Sequence, residues 1–122
     1  VLVVDDDRNI VDLVCRSLKS KGFSIVAAYD GAEAMAAVHQ KHPDLILLDL
    51  EMPVMDGYQV IERVKTDPAT ASIPIVVMTA HKIDRSRIDI LGLAQQKVDK
   101  PSSNEELARK VEALLEHMLE ES

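Results

Sequence analysis

The stretch DLILLDLEMPVMDG, Asp44 to Gly57, decides the fold. Its apolar run, Leu45 to Leu48, has the length and continuity of a strand buried on both faces, and it ends abruptly on one carboxylate, Asp49. An ionised carboxylate is costly to desolvate, so an acid at this point sits where the strand opens to water and cations. The residues that follow, with Pro53 among them and Met55-Asp56-Gly57 at their end, are too punctuated to extend the strand and read as a loop. Asp49 is therefore expected to be presented at a strand end, not hidden.

Outward from this run, strand and helix patterns alternate. Val1 to Val4 is a short buried strand, followed by Asp5-Asp6-Asp7 and a helical pattern with Ile10, Leu13, Val14 and Leu18 on one face. Lys21-Gly22 closes that helix, Gly22 being suited to a left-handed cap, and Ser24 to Ala28 reads as a second strand. Asp30 with Glu33 resembles a capping box for a second helix, whose inward face is expected to include Ala32, Met35 and Ala36. After Pro43 comes the strand already described, and Gly57 starts a third helix carrying Val60, Ile61 and Val64, with Thr66 to Ser72 as its exit loop. Ile75 to Met78 is a fourth strand running into Thr79-Ala80-His81. A fourth helix is expected from about Asp84 to Gln95, with Ile88 and Leu91 inward and Ile90 and Leu93 facing elsewhere. A short strand around Val98 leads to Lys100-Pro101, and Ser103 with Glu106 caps a last helix bearing Leu107, Val111, Leu114, Leu115 and Met118 on one face. Five strands alternating with five helices imply a parallel sheet covered on both sides.

Composition narrows the function classes. A chain of 122 residues is one domain, residues 1–122, and buries roughly two thirds of its unfolded surface, enough for a core without staples. It opens on Val1 inside a strand and without Met, which reads as a piece cut from a longer protein, the alternative being a trimmed stand-alone domain. The single Cys15 forms no internal disulfide, and its place in a helical pattern makes it a packed side chain rather than a nucleophile, fitting a reducing cytoplasm. No signal-peptide pattern and no apolar run near ~18 residues occurs, so no membrane span is expected. The 14 basic and 21 acidic residues give a formal charge of -7, which argues against direct nucleic-acid binding by this domain. Phe23, Tyr29 and Tyr58 are too few to stack bases or a flavin. His39 and His42 stand at i, i+3, a metal-sharing spacing, but no third ligand is evident near them.

In an open parallel sheet every strand leaves at one edge, so residues just past the strand ends share a rim however far apart they lie in the chain. That rim collects Asp5 and Asp6 from strand 1, Asp49 from strand 3, Thr79 from strand 4 and Lys100 from strand 5. Two like charges about 5 Å apart repel by roughly 3 kcal/mol at an effective dielectric near 20, so three clustered carboxylates call for a cation. Hard oxygen ligands select Mg²⁺ or Mn²⁺ over zinc, and such a site keeps places for water and phosphate oxygens. Thr79 offers a hydrogen bond and Lys100 a positive charge, the stabilisation that phosphoryl transfer requires. One acid is then left to act as nucleophile.

Asp5-Asp6, Asp49 with Met52-Pro53 and Asp56-Gly57, Thr79-Ala80 and Lys100-Pro101 together resemble the receiver domain of two-component response regulators, over essentially all 122 residues. The resemblance implies an α/β, flavodoxin-like (βα)5 doubly wound fold, a five-stranded parallel sheet of order 2-1-3-4-5 with helices on both faces. It implies a phosphoprotein of a cytoplasmic phosphorelay that is a signalling phosphoacceptor and not an enzyme, catalysing only its own phosphorylation and dephosphorylation. The partner would be a histidine kinase or histidine phosphotransfer protein, whose phosphohistidine is attacked by Asp49 in a Mg²⁺-dependent reaction. Carried over by position, Asp6 and Asp49 bind the metal through side chains, Asp5 through a bound water and Glu51 through its backbone carbonyl. Lys100 pairs with a phosphoryl oxygen, its bond to Pro101 being cis as in relatives, and Thr79 swings inward after phosphorylation. Glu51 and His81, in loop positions flanking the phosphoryl group, are expected to tune hydrolysis.

The chain departs from the family pattern at Lys97, where relatives carry Tyr or Phe three residues before the lysine. Burying an ammonium costs far more than burying a ring, so Lys97 does not copy the inward turn of that aromatic. The usual coupling to the face of helix 4, strand 5 and helix 5, and dimerisation through it, is affected accordingly. Gly92 also lies one place early relative to Lys100. Other readings are a receiver-like binding module that works without phosphorylation and a haloacid-dehalogenase-like phosphatase, which Asp5-Asp6-Asp7 faintly suits but which lacks its late acid pair after Lys100. A flavin carrier and a Walker-type nucleotide binder lack their phosphate loops.

Overall fold

The computed structural model describes residues 1–79, 84–100 and 103–120. The apolar runs pair in parallel: β1 (Leu2–Val4), β2 (Val26–Ala28), β3 (Ile46–Asp49), β4 (Ile75–Thr79) and β5 (Gln96–Asp99) form one sheet in the order β2-β1-β3-β4-β5. The helices are α1 (Arg8–Ser20), α2 (Gly31–Lys41), α3 (Gly57–Thr66), α4 (Ile88–Leu91) and α5 (Asn104–Glu120). This is the expected order 2-1-3-4-5.

Alternation along each strand splits the core in two. Leu2, Val4, Ile46, Leu48, Ile75 and Val77 face α2, α3 and α4, whereas Val3, Leu47, Val76, Met78 and Val98 face α1 and α5. Every residue from Ile46 to Leu48 is fully buried. Each such side chain contributes about 1.5–3 kcal/mol, which fixes the central strand β3 that carries Asp49 at its end.

Short-range signals bound the helices, at Asp30, Ser103 and Gly22 as the sequence suggests and at Asp7 and Asp56 in addition. The side chain of Asp7 accepts from the Asn9 and Ile10 amides and caps α1; Asp30 accepts from the Glu33 amide at α2. Asp56 and Gln59 make a reciprocal capping box on α3, and the Ser103 hydroxyl accepts from the Glu106 amide at α5. Gly22 takes φ +93, the left-handed conformation expected of it.

Helix faces differ from expectation in three places. In α1, Val11 is buried and Leu13 only partly so. In α2, Ala34 and Val38 are buried with Met35 half-buried, while Ala32 and Ala36 are exposed; alanines carry too little apolar surface to fix a face against the larger Val38. The fourth helix is much shorter than Asp84 to Gln95. A 3-10 turn at Arg85–Arg87 precedes α4, and its tighter pitch, about three residues per turn, rotates the following face. Leu91 is buried as expected, but Ile88 is 50% exposed and Ile90 packs against the core instead. Leu93 is exposed, as read.

The His39–His42 pair is also resolved. His42 leaves α2 in a left-handed conformation, φ 44, with its amide donating to the Val38 carbonyl, so the two rings do not share a regular helical face.

Candidate functional site

Register brings the acids to one level. Val4 pairs with Leu48, so Asp5 stands beside Asp49, at the neighbouring strands β1 and β3 where the chain reverses its direction of winding. Asp49 pairs with Met78, and Thr79 with Asp99, which places Thr79 and then Lys100 just beyond. Thr79 thus ends β4 by its backbone, but its hydroxyl, His81 and the Lys100–Pro101 bond lie outside the described part of the structure.

The three consecutive acids after β1 divide the work. Asp7 caps α1. Asp5 is fully buried, one carboxylate oxygen accepting from the Asp7 amide at 3.0 Å and the other from Lys100 Nζ at 2.7 Å. Asp6 is exposed. Asp49 is hidden where the sequence suggested an open acid: it is only 5% exposed, because it lies in the cleft beside Asp5 and Lys100, with Oδ1 3.2 Å from Lys100 Nζ and its carboxylate accepting from the Glu51 amide. Together Asp5, Asp6, Asp7, Ile10, Asp49, Glu51, Met52 and Lys100 line a cleft of about 450 Å³.

Charge balance in this cleft is unfavourable as it stands. Burial, and next the Asp5 charge, push the Asp49 carboxyl up to about 7, against the opposing pull of Lys100. Burial also raises Asp5, opposed by its hydrogen bonds from Lys100 and Asp7. Burial works to lower Lys100, but its hydrogen bond to Asp5 and the charges of both acids outweigh that and keep it protonated. Three carboxylates against one ammonium leave a negative excess, and oxygens of Asp5, Asp6 and Asp49 all lie within 4.8 Å of one another. An all-oxygen, anionic donor set of this kind fits a hard divalent cation.

The loop after Asp49 is tightly seated. A Cβ added to Gly57 would overlap the Asp49 carbonyl oxygen and stand 2.7 Å from Leu50 Cα, so only glycine lets α3 begin against the backbone of Asp49. The Gly57 amide donates to the Leu50 carbonyl at 2.9 Å. At the tip, the Met55 amide donates to the Pro53 carbonyl at 2.8 Å across Val54, a γ-turn with φ 70 at a β-branched residue that is 84% exposed.

Every residue read as part of the site and described here, namely Asp5, Asp6, Asp49, Glu51 and Lys100, lines the one cleft. Lys97 is exposed on β5 and lies away from it. The sequence reading missed Arg87, whose guanidinium forms two hydrogen bonds with the Asp56 carboxylate, each 2.8 Å. A separation of 31 residues carries no periodic signal, so only the fold reveals the pair.

The model for the response regulator receiver domain matches residues 1–112. The DNA-binding dual master transcriptional regulator RpaA of Synechocystis is 38% identical over 116 residues, 94% of this chain and 48% of that protein. The chain spans about half the length of the curated relatives it matches. Among solved structures, the phosphorylated cyanobacterial phytochrome response regulator RcpA is similar with a TM-score of 0.85 and 30% identity, over 99% of this chain and 94% of that one. The Mn(2+)-bound form of response regulator Rcp1 gives 0.79 and 29%, over 93% and 88%.

Proposed function

This chain belongs to the response regulator receiver domain family of two-component signalling, and from that premise we propose that Asp49 is its phosphoacceptor. The observation that carries the assignment is the Asp49 carboxylate at the open end of β3, 3.2 Å from Lys100 and flanked by Asp5. An oxygen of Asp49 attacks the phosphorus of a phosphohistidine on a histidine kinase or phosphotransfer protein. The new O–P bond forms as the P–N bond breaks, and the donor imidazole leaves as the neutral ring after taking up a proton.

Lys100, protonated and already bridging Asp5 and Asp49, meets a phosphoryl oxygen by exchanging one of these partners. Thr79 is assigned a hydrogen bond to the same group. Asp6 and Asp49 through side chains, Asp5 through water and Glu51 through its carbonyl would hold Mg²⁺, with Mn²⁺ as a substitute. A bound cation supplies neutralising charge for the acid cluster and for the phosphoryl oxygens. Later attack by water on phosphorus breaks the bond to the Asp49 oxygen, releasing inorganic phosphate and returning the carboxylate, so the cycle is the domain's own phosphorylation and dephosphorylation.

The likeness to RpaA, named as a DNA-binding regulator, makes transcription the favoured output, through a segment other than this acidic domain. A cytoplasmic setting accords with this; among the described residues no helix is long and apolar enough to cross a membrane. The test is labelling by acetyl phosphate with Mg²⁺. Wild type is expected to take up one phosphoryl group and Asp49→Asn none; undiminished labelling of the variant refutes the assignment.

A further inference from the structure

The Arg87 guanidinium joins two segments that are far apart in sequence, the start of α3 and the turn that precedes α4. Its two nitrogens each donate to one oxygen of Asp56 at 2.8 Å, the planar fork that fixes orientation as well as distance. The same group lies over the Tyr58 ring, 4.4 Å from its centroid. The Tyr58 hydroxyl in turn accepts from the Asp84 amide at 2.8 Å. Burial tends to raise the Asp56 carboxyl, but the Arg87 hydrogen bond leads the forces that hold it below its usual value. Thus the 3-10 turn and the start of α4 are fastened to the first turn of α3 by a fork, a stacked ring and a hydrogen bond.

This latch is mechanically continuous with Asp49. Gly57, between the latch residues Asp56 and Tyr58, sits so close to the Asp49 carbonyl that a single added carbon does not fit. A displacement of the Asp49 backbone therefore cannot be absorbed there by compression, and it moves the first turn of α3. On the opposite side, β5 offers the exposed Lys97 and no ring.

The geometry points to the Asp56–Arg87–Tyr58 latch as the element that carries the state of Asp49 to α4. Arg87 is a positioning residue that acts through Asp56 and touches no reacting atom. A bidentate, stacked guanidinium transmits rotation as well as translation, which a single point charge at the same place does not. The inference rests on the Asp49 reading above and adds the route by which that site is read out.

The test is backbone amide NMR of the protein with Mg²⁺, before and after addition of beryllofluoride, a phosphoryl mimic. Wild type is expected to show shifts both in the loop from Asp49 to Gly57 and in residues 84–92. Arg87→Met should keep the loop shifts while those of residues 84–92 shrink by about twofold or more, the effect of losing coupling of ordinary size. Arg87→Lys keeps the charge and the fold but not the fork, and should show the same uncoupling. A full wild-type response at residues 84–92 in either variant overturns the latch. No loop response in wild type overturns the Asp49 reading, and the latch with it.

Discussion

Replacing Asp49 with Asn is expected to stabilise the metal-free protein while ending its chemistry. The carboxyl is 5% exposed, and burial followed by the Asp5 charge pushes it up to about 7 from an ordinary 3.8. Between these two values the folded protein holds a proton that the unfolded chain releases, so the carboxyl's contribution to stability is fully present below about pH 4 and lost as pH rises through about 7. A gap of about three units at about 1.4 kcal/mol each gives an upper figure near 4 kcal/mol, and water in the cleft screens it to about 2–4 kcal/mol. Asn has nearly the same shape and does not ionise. Asp49→Asn should therefore match wild type near about pH 4 and exceed it by that amount above about pH 7. Urea denaturation of both proteins in chelator at the two pH values measures the gap. A gap that does not widen with pH, or a variant less stable at high pH, refutes a desolvated and charge-crowded Asp49.

Three other outcomes follow from the geometry. Mg²⁺ at about a hundred times its dissociation constant should stabilise wild type by about 2.7 kcal/mol in thermal denaturation, and Asp6→Asn, lacking one proposed ligand, should need markedly more metal for the same shift. Gly57→Ala places carbon against the backbone of Asp49 and Leu50 and should cost about 1–3 kcal/mol despite the better helix propensity of alanine; a urea midpoint equal to wild type would show that α3 can draw back. Val54→Gly relieves a left-handed β-branched residue with 84% of its surface already exposed, and should raise stability by about 0.5–1 kcal/mol after the entropy cost of glycine, read from the same urea curves.

Much of this was legible in the residues because it rests on short-range rules. The apolar run ending on Asp49, the caps at Asp30 and Ser103 and the turn at Gly22 are each set by neighbours a few residues away, and the structure has them as read. Strand-end reasoning gathered Asp5, Asp6, Asp49 and Lys100 because a parallel sheet sends all its strands out at one edge, and the family resemblance added Glu51, which lines the same cleft. Fine helix phase was less legible. Ala32 and Ala36 looked inward by spacing alone, and Ile88 looked buried until a 3-10 turn rotated it to the surface.

By itself, then, the sequence determined the alternating architecture and the identity of the acids and the lysine at its rim, since period and punctuation are properties of contiguous residues. Only the tertiary structure decided how those groups are held: Lys100 shared between Asp5 and Asp49, glycine forced at 57 by the Asp49 carbonyl, and Arg87 clasped by Asp56 across 31 residues. Such contacts depend on where separate segments meet in space. No local pattern records a pairing whose partners are brought together only when the sheet and its helices pack.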